Sequence, residues 1–235
     1  MWSSPDRPAY PHHALAAVLQ VRSARLHVML WRRANDPFAG AWALPGGPLL
    51  GEETLGASVA RQLASKVEVT HLAHLEQLET RSDPARDPRG RTVATAYLGL
   101  IPADLDPHLP EDTTWQPVDA LPRTAFDHGS IVGSALARLR AKLSYTNIGF
   151  ALAPERFSFS ELSGIYSAAL GYPVDPTNLR RVLERRGLLE ATGERRVPGR
   201  EGGRPAAVYR FTSRELEVTD PFAVFRPPTP ARAAG

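Results

Sequence analysis

The chain has 235 residues, no cysteine, a formal net charge of +3, and ordinary hydrophobic (43%) and charged (23%) fractions. That length holds one large domain or two small ones with a real core, while the missing cysteine excludes disulfides and thiolate metal sites and makes a reducing cytoplasm the expected setting. No apolar run approaches the roughly 20 residues that span a bilayer, and the opening MWSSPDRPAYPHH lacks the order of a secretory leader, so no membrane partner is expected.

Residues 1–12 read as a flexible N-terminus, followed by a first block over 13–144. Apolar stretches at 13–21 and 26–31 flank the polar turn RSA and predict a hairpin. A Pro/Gly loop follows at 40–47, then a helical periodicity over 53–66. Strands are expected at 72–80 and 92–101, separated by the charged turn-rich loop RSDPARDPRGR. A short strand at 115–118 leads into a helix from about residue 130 to 143. Few strands here are separated by long helices, so the reading is α+β, a mixed sheet with helices packed on it.

The stretch 145–154 reads as a junction, and a second block spans 145–218. Ser158 stands three residues before Glu161, the spacing of a capping box, opening a helix that Gly171 ends. Asp175-Pro176 offers an N-cap and a first-turn proline for the next helix, which is expected to run to Gly187. A strand, an arginine-rich glycine loop and a second strand complete a winged helix-turn-helix pattern. Residues 219–235, rich in Pro and Ala, read as a flexible tail.

Between Asn178 and Arg210 nine arginines face only four glutamates, the footprint of a phosphate-contacting module or of a solvated arginine-rich surface. In the second helix of this block Leu179, Val182 and Leu183 form the inward face. Asn178, Arg181 and Arg185 share the outward stripe, with Thr177 at the exposed first turn. Arginine can bridge guanine O6 and N7 and asparagine can do the same for adenine, so this stripe can read a major groove. Arg180 and Glu184 are spaced for an intrahelical ion pair. Arg195, Arg196, Arg200 and Arg204, on the wing, are assigned to phosphates or the minor groove.

The stretch GGPLLGEETLGASVARQLASKVEV carries Gly47, Glu53, Arg61, Leu63 and Val69 at fixed spacing, behind the loop DPFAGAWALPGG. Its arrangement resembles the Nudix box, and Gln62, Ser65 and Lys66 stand where that family has its three helix glutamates. Those positions share one helical face, where three carboxylates would hold divalent cations that activate water against a pyrophosphate. Gln and Ser are weak neutral ligands and a Lys ammonium repels a metal, so no metal, no cofactor and no catalytic residue is assigned. Glu52 and Glu53 survive, and two glutamates at a helix start also suit its dipole. The expectation is a pocket that binds without turnover. Lys66 is either a built-in positive charge facing a diphosphate or a surface lysine.

Together with the box, DPARDPRGRTVATAYLGL, AFDHGSIV, LRAKLSYTNIGFALAPERFSFSELSGIY and NLRRVLERRGLLEATGERR make the chain resemble the NrtR family of Nudix-related transcriptional regulators. The resemblance implies a dimeric repressor of NAD-metabolism genes. It implies a palindromic double-stranded DNA operator, and ADP-ribose or a related nucleotide as effector bound by the Nudix-like domain. For that ligand, Phe38 and Trp42 either stack an adenine or belong to the core. Arg61 has a commonly structural place, paired with a carboxylate such as Glu53, and both are kept in the candidate ligand set with Lys66. Arg86 and Arg89 are candidate diphosphate partners or plain solvated loop charges. Asp127-His128 reads as a helix cap with no catalytic role. Two readings compete with the regulator: a Nudix hydrolase of ADP-ribose-type substrates that uses Glu52, Glu53 or loop acids, with an accessory C-terminal domain, and a scaffold whose wing binds protein. Any signal between pocket and DNA is expected to pass through residues 130–154.

Overall fold

The computed structural model describes residues 9–69, 71–196 and 205–220. Its centre is strand β1 (His12–Arg22), which pairs antiparallel with β2 (Arg25–Arg32) through a two-residue turn. Ser23 and Ala24 both have positive φ (46° and 60°), the primed-turn geometry whose twist matches that of the flanking strands. On its other side β1 runs parallel to β6 (Val93–Leu100), so it lies inside the sheet, buried on both faces from Ala14 to Val21. Its near-continuous apolar run follows from that position. The polar exception, Gln20, is fully buried and donates from Nε2 to the carbonyls of Pro102 (2.7 Å) and Leu105 (2.6 Å).

The loop expected at 40–47 contains two short strands, β3 (Trp42–Ala43), pairing β2, and β4 (Gly46–Pro48), pairing β1. They escape a sequence reading because they are too short to show alternation. Strand β5 (His74–Arg81) pairs β6, and β7 (Thr113–Pro117) pairs β2, completing a seven-stranded mixed sheet. Helix α1 (Leu55–Val67) starts after Thr54, whose side chain accepts from the Ala57 N–H, so Glu52 and Glu53 precede the helix instead of opening it. Helix α2 (His128–Tyr145) begins two residues earlier than the sequence pattern suggested.

The period of two in β1 sorts its residues between two cores. Ala14, Ala16 and Val18 pack with Val59, Leu63 and Val67 of α1. Leu15, Ala17 and Leu19 face the opposite way, with Ile131, Ala135 and Leu139 of α2 and with residues of the second block. The stretch expected to be a junction is therefore core: Thr146 to Ala153 are all buried, around a tight 3-10 turn at Ile148–Ala151. Asn147 ties the block's last segment down, donating to the Glu215 carbonyl and accepting from the Glu217 N–H, both at 2.8 Å.

Helix α3 (Phe159–Leu170) carries the full capping box between Ser158 and Glu161 and ends at Gly171 with φ of 84°. Helix α4 (Pro176–Arg185) is capped by the Asp175 side chain on the Asn178 N–H. It buries Leu179 and Leu183, while Val182 is half-buried. The wing is the antiparallel pair β8 (Leu189–Arg196) and β9 (Ala206–Phe211), joined to the segment before α3 by a bridge between Phe157 and Tyr209. Among the described residues no helix is long and apolar enough to cross a membrane. Arg200, Arg204 and most of the two terminal stretches lie outside the described residues.

Candidate functional site

A cavity of about 300 Å³ opens beside Leu15 and Leu44, beneath the loops at one end of the sheet. It takes His13 from β1, Trp31 from β2, Arg33 and Asp36 from the following loop, and Gly46 and Gly47 from β4. Lys66 comes from α1, Arg86, Asp87 and Arg89 from the loop between β5 and β6, Phe126 from the segment just before α2, and His128 from its first residue. Four permanent cations (Arg33, Lys66, Arg86 and Arg89) thus face two carboxylates, Asp36 and Asp87. The balance suits an anion of nucleotide size.

Three of the residues singled out from the sequence line this cavity, and four do not. Lys66, Arg86 and Arg89 line it. Glu53 and Arg61 are instead locked together: Nε donates to Oε2 at 2.9 Å, Nη2 to Oε1 at 2.5 Å, and Nη2 also to the Pro48 carbonyl at 3.1 Å. The guanidinium holds the Glu53 carboxyl at about 2. This pair braces the turn into α1, as the structural reading of Arg61 anticipated. Trp42 packs on the second core beneath Arg32 and away from the cavity. Phe38 is exposed and meets Phe126 edge-on, with centroids 5.0 Å apart, so it backs the cavity wall from outside.

Sequence reasoning missed His13, Trp31, Arg33, Asp87, Phe126 and His128 as cavity residues. None falls within the Nudix-like spacing, and the loops that bring them together have no periodicity to read. Phe126 and Phe38 both sit in left-handed backbone (φ 51° and 69°), costing on the order of 1–3 kcal/mol each. Their edge-to-face contact returns only about 0.5–1.5 kcal/mol, so the surrounding loops must hold the ring in place. Arg33 and Arg89 lie over that ring at 4.8 and 5.9 Å from its centroid.

The loop arginines are oriented, not merely solvated. Arg86 is buried and grips Asp127 through Nε (3.2 Å) and Nη2 (2.8 Å). Asp127 does stand at the N-cap of α2, as the cap reading has it, but its side chain makes no cap hydrogen bond and serves Arg86 instead. Arg89 donates from Nε (3.0 Å) and Nη2 (2.7 Å) to the buried Asp87. His128 accepts the Leu44 N–H on Nδ1 at 3.0 Å, and burial lowers its pKa to about 3, so it is a neutral ring. His13 is also lowered, by burial first and then by Arg89 and Arg86.

The three Nudix-box positions now have separate fates. Gln62 is buried against Gly47, and its amide satisfies both neighbours when turned so that its nitrogen faces the Gly46 carbonyl (3.2 Å) and its oxygen faces Arg61 Nη1 (3.0 Å). Ser65 is exposed. Lys66 donates to the Gly46 carbonyl at 2.5 Å and lies 4.4 Å from the Trp31 ring centroid.

A second surface lies on α4. Thr177, Asn178, Arg181 and Arg185 are all exposed on it, as the sequence pattern required. Arg181 leans on Asn178 Oδ1 at 2.9 Å, and Arg180 pairs with Glu184 at 2.8 Å. On the wing Arg195 pairs with Ala207 through its backbone, and its exposed side chain has no partner among the described residues. Arg196 instead pairs with Glu161 and donates to the Arg156 carbonyl, so its first role in the free protein is to hold the wing against α3.

Residues 149–211 match the family described as NrtR DNA-binding winged helix domain, and residues 11–133 match the NUDIX domain family. The chain is 31% identical over 212 residues to the ADPR responsive transcriptional repressor NtrR of Acinetobacter baylyi, covering 87% of this chain and 83% of that protein. Shewanella oneidensis NrtR, solved in complex with a 27mer DNA, superposes with a TM-score of 0.72 at 33% identity, over 85% of this chain and 92% of that one. The NUDIX domain of the same Shewanella protein, solved with ADP ribose, superposes with a TM-score of 0.52 at 31% identity, over 59% of this chain and 94% of that one.

Proposed function

The chain belongs to the NrtR family, a NUDIX domain joined to a winged helix, and on that footing we propose that it is a cytoplasmic transcriptional repressor that senses ADP-ribose or a related nucleotide. Residues 13–144 form the sensing part and 145–218 the DNA-binding part. It acts on genes of NAD metabolism, as a homodimer on a palindromic site. Two copies are needed because such a site presents two half-sites about one helical turn apart. The pocket binds its nucleotide without hydrolysing it, since Gln62, Ser65 and Lys66 occupy the positions of the family's metal-binding glutamates.

The observation that carries this reading is the path of α2. Its first residues sit at the cationic cavity, where Asp127 is gripped by Arg86 and His128 lines the wall. Its last two turns touch the winged helix, where Arg140 donates to the Ala169 carbonyl (3.2 Å) and the Ser144 carbonyl accepts from Arg186 (2.9 Å). One rigid element thus runs from the nucleotide pocket to the base of the DNA-reading helix. The wing's arginines favour DNA over a protein partner.

The test is an operator selected from a random duplex pool, followed by titration with and without ADP-ribose. A regulator changes operator affinity with ligand, and by linkage the operator changes ligand affinity by the same factor. Selection that yields no preferred sequence, or equal affinities in the two titrations, would remove the reading.

A further inference from the structure

The fold family implies divalent metal at the face of α1, and the residues present do not fit it. Gln62 is a buried neutral amide whose two ends, suitably turned, match the Gly46 carbonyl and Arg61, Ser65 is exposed, and Glu53 is held by Arg61. At the third position stands an ammonium, which has no lone pair to offer a cation and repels one.

We infer that the Lys66 ammonium is a permanent counter-cation for the anionic part of the ligand, so that the cavity takes a diphosphate-bearing nucleotide without any divalent metal. The inference rests on the nucleotide-sensing reading above and adds the charge chemistry by which the site holds its ligand.

Position and rigidity support it. The Gly46 carbonyl and the Trp31 ring fix the Lys66 head at the cavity wall. An ammonium has three N–H donors, and only one is taken by a protein acceptor among the described residues. Arg33 and Arg89 face the same space, each stacked on Phe126. Burial pulls the Lys66 pKa down first, and the neighbouring Arg33 and Arg61 charges add to it, so the ammonium is partly stripped of water and beside other cations. A further cation entering there is repelled, whereas a phosphate relieves the repulsion among three side chains at once. Like charges held close on a preformed wall are the electrostatic counterpart of a bound metal, with the cost of ordering met during folding.

The competing account is that Lys66 serves only the Gly46 carbonyl. Calorimetric titration of the full chain separates the two, with ADP-ribose and then adenosine as probes, in buffer with chelator and in buffer with magnesium. The expected result is the same ADP-ribose affinity in both buffers. Lys66→Gln should weaken ADP-ribose about ten- to a hundredfold, the range of a charge-assisted hydrogen bond, and leave adenosine unchanged. Loss of wild-type binding in chelator overturns the inference, and so does a Lys66→Gln variant that weakens adenosine as much as ADP-ribose. The chelator arm uses the wild-type protein and stands even if the variant folds poorly. No ADP-ribose binding in either buffer would remove the nucleotide-sensing reading itself, and this inference with it.

Discussion

Arg186, the residue that caps α4, donates from Nη2 to the main-chain carbonyl of Ser144 in the last turn of α2, at 2.9 Å. The bond joins the foot of α4, the proposed DNA-reading helix, to the far end of the helix that begins at the cationic cavity. A ligand that engages Arg86 competes with Asp127 for its guanidinium, and so acts on the first turn of that same helix. The ligand shifts DNA affinity only if it binds the two helix positions unequally.

Arg186→Ala should therefore uncouple the sites. Operator binding without ligand is expected to stay within a few-fold of wild type, because Arg186 is at the inner end of α4 and away from its exposed stripe. The change in operator affinity caused by ADP-ribose should shrink toward none, from the roughly 5- to 150-fold typical of coupled sites. Fluorescence anisotropy on a labelled operator, with and without ADP-ribose, measures both. Full coupling in the variant would show that the signal takes another route.

Reading and anchoring should separate on the second surface. Arg181→Ala is expected to cost about 1–3 kcal/mol of discrimination at one base position and to relax preference there. Arg195→Ala should weaken binding to all sequences alike and lower the salt slope by about one phosphate contact. Arg196→Ala is a different case, since its pair with Glu161 is exposed on both sides. Its effect on folding stability should be no more than about 1 kcal/mol. If Arg181→Ala and Arg195→Ala behave identically across operator variants, the division into reader and anchor is wrong.

His128 should steepen the loss of stability in acid. Its value is 6.5 when free and about 3 in the fold, with burial as the main cause. The unfolded chain takes up a proton between those limits and the folded chain does not. Its contribution is thus fully present above pH 6.5 and is lost as pH falls from there toward about 3. The slope reaches at most about 1.4 kcal/mol per pH unit. Urea unfolding at about pH 7 and about pH 5 should show a smaller drop for His128→Gln than for wild type. An equal drop would mean the imidazole is not held neutral.

The chain should be silent toward ADP-ribose with magnesium or manganese, well below the roughly 1 per second of ordinary enzymes. Replacing Gln62, Ser65 and Lys66 together by Glu is expected to introduce metal binding without turnover. It should also lower stability by about 1–3 kcal/mol, because position 62 is buried against Gly46 and Gly47 and a carboxylate there meets a carbonyl oxygen. Calorimetric metal titration, chromatographic assay of AMP and ribose phosphate, and thermal melting report these effects. Hydrolysis by the wild-type chain at enzyme rates would contradict the loss of the reaction.

The local signals in the sequence determined a good deal. The hairpin around Ser23 and Ala24, the Ser158–Glu161 box, the Asp175 cap and the stripe of Asn178, Arg181 and Arg185 all depend on residues a few positions apart. Backbone sterics, capping and helical period act over that range, so the sequence alone carries them. The partnership of Arg61 with Glu53 was legible for the same reason, since eight residues of one turn and helix connect them.

Tertiary structure decided the rest. The stretch 145–154 reads as a junction, yet residues 146–153 are buried, because β1 has two apolar faces and only one is covered by α1. Phe38 and Trp42 are the pocket aromatics the sequence offers, yet the aromatic rings lining the cavity are Trp31 and Phe126, while β3 seats Trp42 on the core beside it. Arg86 and Arg89 look alike in one loop, but each is aimed by a different carboxylate, Asp127 from 41 residues away and Asp87 from two. A cavity gathered from β1, β2, β4, α1, α2 and two loops depends on how the chain closes in space, and closure leaves no period in the sequence to read.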